Sequence, residues 1–329
     1  KSRGEKMKKN VIGFVAAMVA VCAGIALYFI VKTEPPEQKN FLVGVVNPNL
    51  GTKEMNRGFI EGLKEKGYIE GENVTIIQYT GRFDIDGAIT DLLTKNVDLI
   101  FCATTPATKK IKEATLGKNI PVVFAMYDPV KSDVIESLAH PGGHLTGIQI
   151  RGSCPKALEW LVALSPDIKN IYVPVKFDTK AATQSIEAFQ KTADHLGVKL
   201  RVAEVNTTQE LDTALAAIPP DMDAILITHS ILISSHTAKV INTAIQKKLP
   251  TGAAIGKAQE GALIAYSPRL FETGAQASRL AHLALKGVSV NDIPAERALF
   301  FLEVNKKTAD ATGITVPNDI LIQADFIYR

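Results

Sequence analysis

The chain has 329 residues, 46% hydrophobic and 22% charged, with a net charge of +3. That is ordinary globular composition, and the length suits about two domains. The charge is small and much of it sits in Lys1, Arg3, Lys6, Lys8 and Lys9, which argues against nucleic acid or another strongly charged partner.

The first element is the uncharged run Val11–Val31, "VIGFVAAMVAVCAGIALYFIV". Roughly 20 apolar residues span a bilayer core, whereas the apolar part of a secretory signal is about 7–15 residues. Lys6, Lys8 and Lys9 precede the run and keep that end cytoplasmic. Val21 before Cys22, and Ala23-Gly24-Ile25 after it, do not suit lipoprotein processing. Residues 1–39 therefore read as a retained membrane anchor followed by a polar, Pro35-Pro36-stiffened stalk, with a cleaved signal peptide as the alternative. Everything after Lys32 is expected outside the cytoplasm.

Beyond the stalk, strand and helix patterns alternate. "FLVGVV" is a strand, and Met55, Phe59, Ile60 and Leu63 share a helical face that ends at Gly67. "VTIIQY", a helix through Ile85–Leu93, "VDLIFCA", a helix through Ile111 and Ala114, and "IPVVFAMYDP" follow. The stretch Ala139–Pro155 is rich in Gly and Pro with little periodicity and reads as a crossing between two lobes. The pattern then restarts: strand "IYVPVKF", helix Thr179–His195, strand "VKLRVAEV", helix Gln209–Ile218, strand "DAILITHS", helix Leu232–Lys248, and strands "LPTGAAIG" and "GALIAYS". A long helix Leu270–Leu285, a strand "ALFFLEVN", a small helix "KTADATG" and an apolar end complete the chain. Such alternation predicts βαβ units, and continuously apolar strands predict parallel sheets covered on both faces. The expected fold is α/β, with two Rossmann-like lobes joined by a hinge: residues 40–148 form the first lobe and 149–329 the second.

Signs of catalysis are missing. There is no GxSxG, GxGxxG or GxxxxGK[ST] motif. His140 and His144 are four apart, but Pro141-Gly142-Gly143 between them forbids a helix, so they read as loop histidines; His236 reads as structural. Cys22, Cys102 and Cys154 make no CxxC or zinc spacing and read as buried thiols, with a Cys102–Cys154 disulfide as the alternative. No cofactor or metal is implied. What recurs is turn chemistry at strand ends: Asn47-Pro48-Asn49-Leu50, Thr104-Thr105-Pro106, Tyr127-Asp128-Pro129, Lys176-Phe177-Asp178-Thr179, His229-Ser230 and Gly256-Lys257. In open α/β sheets ligands sit at the carboxyl ends of strands, where helix N-termini offer free N–H groups. Lys176 and Lys257 could meet an anionic group or be surface lysines. Tyr127 or Phe177 could stack on a flat one, and Asp128 could face the cleft or form an Asx turn.

The motifs "GFIEGLKEKGYIEGENVTI", "VDLIFCATTPAT", "IPVVFAMYDPV", "HPGGHLTGI", "LKGVSVNDIP" and "LEVNKKTADATGITVPNDILIQAD" together resemble the ABC-transporter substrate-binding proteins of the tryptophan/tyrosine type. The resemblance covers nearly the whole chain after residue 40. It implies a type I periplasmic-binding-protein fold, preceded here by the apolar run as a transmembrane helix. It also implies a monomer that closes on a small solute such as an amino acid, delivery to an ABC permease, and no catalysis. In that fold the chain crosses the hinge more than once, which allows part of 268–300 to rejoin the first lobe. The family's ligand loops match Asn47–Leu50, Thr104–Pro106 and Tyr127–Pro129. Its Asn-Ser-Ser-Glu-x-Asn-Ser loop is replaced by Lys176–Ala182, and its Asp-Asn by His229-Ser230; both changes fall on the side that grips the ligand's charged groups. A membrane-anchored extracytoplasmic sensor could use the same cleft, although a sensor normally continues into a signalling domain beyond Asp325 and the chain stops at Arg329.

Overall fold

The computed structural model describes Met18 and residues 39–49, 51, 53–150, 155–177, 180–228 and 230–329. The expected membrane helix Val11–Val31, apart from Met18, lies outside the described residues, as do Leu50, Cys154, Asp178, Thr179 and His229. Among the described residues no helix is long and apolar enough to cross a membrane.

The chain opens with β1 (Phe41–Asn47), α1 (Lys53–Glu65), β2 (Val74–Thr80), α2 (Ile85–Thr94), β3 (Leu99–Ala103), α3 (Thr105–Ala114) and β4 (Val122–Tyr127). Turn chemistry sets the starts of several helices. Asp84, for example, accepts from the N–H groups of Asp86 and Gly87 at the head of α2. β5 (Leu145–Ile150) lies inside the stretch expected to be an aperiodic crossing, and this corrects that expectation. "LTGIQI" shows no alternation because both its faces are covered, and Gly147 is required: a Cβ there would stand 2.2 Å from the Phe124 carbonyl oxygen. These five strands run parallel in the order β2-β1-β3-β4-β5. One face buries Val43, Val45, Phe59 and Phe101, with the last two rings stacked at 4.1 Å; the other buries Val46, Ile100 and Phe124.

The second sheet is built from α4 (Lys156–Ala163), β6 (Asn170–Val175), α5 (Lys180–Leu196), β7 (Lys199–Glu204), α6 (Thr208–Ala216), β8 (Ala224–Ile227), α7 (Ile231–Ser235), α8 (Thr237–Gln246), β9 (Thr251–Ala253) and β10 (Ile264–Pro268). The single helix expected over Leu232–Lys248 is two. His236 breaks it at φ −118°, ψ 22°, and its ring bonds back to the Leu232 carbonyl at 2.9 Å and to Thr208 Oγ1 at 3.2 Å.

Arg269 then leads into α9 (Leu270–Leu285), which packs on α1 of the first lobe, not on the second sheet. A 3-10 turn (Val290–Asp292) and β11 (Glu296–Arg297), paired with β5, complete that lobe. The chain returns as β12 (Phe300–Asn305), α10 (Lys306–Thr312), α11 (Asn318–Gln323) and β13 (Phe326–Tyr328). β12 runs antiparallel to β10, so the second sheet is not wholly parallel as expected. The reason is local: only Ala298 and Leu299 separate β11 from β12, so the chain enters at the edge where β10 ends and must run back down the sheet.

Three short links thus join the two sheets: residues 151–155, Arg269, and Ala298–Leu299. Each leaves a carboxyl edge. A residue spans at most about 3.6 Å, so the carboxyl edges of the two sheets must stand close to each other.

Candidate functional site

The strand ends at these facing edges carry most of the candidate residues. On β1, Asn47 is fully buried and works inside the turn. Its Nδ2 donates to Asn56 Oδ1 at 2.8 Å, Asn56 Nδ2 donates to Thr80 Oγ1 at 2.9 Å, and Asn47 Oδ1 accepts from the Asn49 N–H at 3.2 Å. Asn49 Oδ1 in turn accepts from the Gly51 N–H at 2.9 Å. Two successive Asx turns therefore shape the chain between β1 and α1, with Pro48 half-buried and Asn49 exposed.

At the end of β3, Thr104 holds φ 78°, ψ 143°, which is strained for a β-branched residue, and its Oγ1 is buried without a partner. Strain and an unanswered buried hydroxyl thus meet at this strand tip. Thr105 follows, half-buried, at the start of α3. At the end of β4, Tyr127 keeps 43% of its surface exposed, while burial around the hydroxyl pushes its pKa up to about 12. Asp128 has φ 41°, and its Oδ1 accepts from Gln149 Nε2 at 3.3 Å, tying the β4 tip to β5.

In the second lobe, the Lys176 N–H donates to Ser230 Oγ at 3.2 Å, so the buried Ser230 latches the ends of β6 and β8 together. Phe177 is 40% exposed. Lys257 is turned to Glu260, with Nζ 2.5 Å from Oε1. Of the candidates, Leu50, Asp178, Thr179 and His229 lie outside the described residues. Thr104, Thr105, Tyr127, Asp128, Lys176, Phe177 and Lys257 thus lie at strand ends on the carboxyl edges of the two sheets, while Asn47 and Ser230 serve the turns themselves.

Sequence reasoning missed a polar group on β12. Glu303 on β12 is 3% exposed; its Oε2 accepts from Tyr328 OH at 2.7 Å, and its Oε1 has no partner. Burial raises its pKa above the ordinary carboxylate range, against the pull of the Tyr328 hydrogen bond and Arg269. Burial, then Glu303 itself, pushes Tyr328 up to about 12. A lone carboxylate within the apolar strand "FFLEVN" is the signal that could have found it. Among the described residues no cluster of His, Cys, Asp and Glu could hold a metal.

Two α/β lobes with polar strand tips at adjoining edges define a protein that holds a ligand. A family model for ABC transporter substrate binding proteins matches residues 43–327. The chain belongs to that family: it is the substrate-binding protein of an ABC transporter, a non-enzymatic, extracytoplasmic class. It is 27% identical over 306 residues to a tyrosine-binding protein of Clostridioides difficile, covering 89% of this chain and 87% of that one. Its fold is similar to the ligand-free, open structure of a substrate binding protein with adhesive properties from Clostridium difficile (TM-score 0.74, 23% identity, 88% of this chain, 99% of that one). It is also similar to an ABC domain from Streptococcus pneumonia in complex with L-Trp (TM-score 0.69, 24% identity, 88% and 100%).

Proposed function

We propose that this protein traps an amino acid with an aromatic side chain between its two lobes by hinge closure and delivers it to an ABC permease. The first lobe in this reading is residues 40–148, carried on to the end of β5 at Ile150 and joined by the returning segment within 268–300; the remainder up to 329 is the second. One observation carries the reading: Tyr127 and Phe177, one on each sheet, present 43% and 40% of their surfaces at the adjoining carboxyl edges. Exposed rings on opposed edges suit a flat ligand held between them, since an aromatic pair contributes about 0.5–1.5 kcal/mol beyond its buried area. The tyrosine-binding relative and the L-Trp complex support the same ligand class. The protein works as a monomer at the outer face of the cytoplasmic membrane, tethered by Val11–Val31.

Isothermal titration and thermal shift of the full chain with L-tyrosine and L-tryptophan test the ligand class. Binding is expected, and a ligand at a hundred times its Kd adds about 2.7 kcal/mol of stability. No response to either amino acid, with a response to a sugar or a nucleobase, sinks it. Mature protein that begins after residue 20 sinks the tether.

A further inference from the structure

Gly256, just past β9, sits at the carboxyl edge of the second sheet and is exposed. A Cβ built on it would stand 3.3 Å from Ser267 Oγ, 3.6 Å from Glu303 Oε1 and 3.8 Å from the Pro268 carbonyl oxygen. Three oxygens therefore converge on the space that a side chain would otherwise fill. Ser267 is 1% exposed and Glu303 3% exposed, and neither Ser267 Oγ nor Glu303 Oε1 has a hydrogen-bond partner. A buried carboxylate oxygen left unanswered is costly, and natural proteins keep one where something arrives to answer it.

Neither neighbouring cation forms an ion pair with Glu303. Lys257 is drawn to Glu260. Arg269 lies 3.7 Å over the ring of Phe326, and its Nε is 3.4 Å from Glu272 Oε2; its buried Nη1 has no hydrogen-bond partner, and its charge favours the ionised form of Glu303 from a distance. The other charged groups that act on Glu303 are the carboxylates of Glu272 and Asp325, which disfavour its ionised form until a cation comes.

We propose that Gly256, Ser267, Glu303 and the Pro268 carbonyl form the niche that receives the primary ammonium of the transported ligand. A primary ammonium carries three N–H donors and no acceptor, and the niche offers three acceptors and one negative charge. Glycine at 256 keeps a Cβ from standing against these three oxygens. Glu303, held by the Tyr328 hydroxyl on one oxygen, presents the other to the ligand. The niche deepens the amino-acid reading above, and it requires ligands that carry a free amine.

The test compares L-tyrosine with 3-(4-hydroxyphenyl)propanoate, which differs only by lacking the ammonium, on the full chain and on Glu303→Gln and Gly256→Ala. The wild-type chain is expected to prefer the amino acid by about a hundredfold or more, since a site built for an N–H group rejects the analogue that lacks it. Each variant should cut that preference to under about tenfold and leave the affinity for the propanoate unchanged. A preference kept intact by both variants overturns the niche, as does a wild-type chain that binds the two compounds equally; tyrosine binding itself would still stand. A Glu303→Gln chain that melts lower yet keeps its preference makes Glu303 a partner of Arg269 and also overturns it. If neither tyrosine nor tryptophan binds, the aromatic amino-acid reading fails, and tyramine and 1,4-diaminobutane become the probes. A thermal shift with either amine that Glu303→Gln abolishes keeps the niche, and no shift with any of these amines ends it.

Discussion

Gly274 of α9 stands against Met55 of α1 at a spacing that admits no side chain: a Cβ on Gly274 would fall 1.9 Å from the Met55 carbonyl oxygen. The arrangement is reciprocal, because a Cβ on Gly58 would fall 1.9 Å from the carbonyl oxygen of Phe271. The two helices approach backbone to backbone, and neither partner is a flexible side chain that could swing aside. Gly274→Ala is therefore expected to cost about 3 kcal/mol or more, read as a lower urea midpoint, because the helices must separate to admit the methyl group. Gly287→Ala is the comparison. It has φ 87° but nothing within 4 Å of its Cβ position, so only backbone strain of about 1–2 kcal/mol is expected.

Asn56 holds the turn after β1 through Asn47. Asn56→Ala removes the acceptor of the Asn47 amide and the donor to Thr80 together. A loss of about 1–3 kcal/mol in denaturant unfolding is expected, the usual penalty for a buried polar group left unanswered. Ligand affinity should fall as well, since the Asx turn that begins at Asn47 would no longer be held. A variant of full stability and unchanged affinity would show that the loop is set by something else.

Cys102 is fully buried, and burial pushes its thiol up to about 12. Its Sγ has Thr108 Oγ1 as partner at 3.5 Å, and the thiol is free. Reaction requires the thiolate. Iodoacetamide at pH 8 is expected to leave the Cys102 peptide unlabelled in the native protein and to label it in urea, as read by peptide mass spectrometry. Rapid native labelling would mean that β3 opens locally without global unfolding.

His144 and His282 both have lowered pKa values. Burial is the main cause in each, helped by Lys112 for His144 and by Lys286 and Lys66 for His282. Each neutral ring also has a partner, Thr115 Oγ1 at 2.7 Å and Tyr68 OH at 3.1 Å. The unfolded chain takes up these protons first, so the stability they confer is complete above the ordinary value near 6.5 and is lost as pH falls toward the lower folded values. The melting temperature should fall between pH 7 and pH 5, and a double His144→Gln, His282→Gln variant should flatten that slope. An unchanged slope would assign the acid sensitivity to carboxylates.

Glu303 predicts the opposite pH dependence. Its folded pKa is raised, so the folded chain holds this proton more tightly and stability declines as pH rises from the ordinary carboxylate value through the folded one. In the ligand-free protein, Glu303→Gln is expected to melt higher than wild type at pH 8, and the advantage should vanish toward pH 4. A constant difference across that range would show that packing, not charge, separates the two.

Much of this architecture is legible in the residues. β1, β3 and β4 read as apolar runs because helices cover both their faces, and each ends in the turn residues that lie at the adjoining edges. β5 is not legible, since "LTGIQI" sits among glycines and prolines and depends on Gly147 fitting against Phe124. The reversal of β12 is not legible either, because it follows from how few residues separate it from β11. At the site, the sequence identifies the polar tips but not which side chains are used up within them. Ser230 bonds a residue 54 positions earlier, and Glu303 meets Gly256 only through the folding of the second sheet. Such pairings are long-range, and no local pattern encodes them.

α9 supplies Ala277, Leu280 and Ala281 to the core beneath β1 and β3. During translation, then, five of the seven strands of the second sheet are made before the first sheet can be covered, and a nascent polypeptide that has reached Pro268 still shows a bare oily flank around Phe59 and Phe101. Compaction of the amino-terminal half is postponed until late in synthesis.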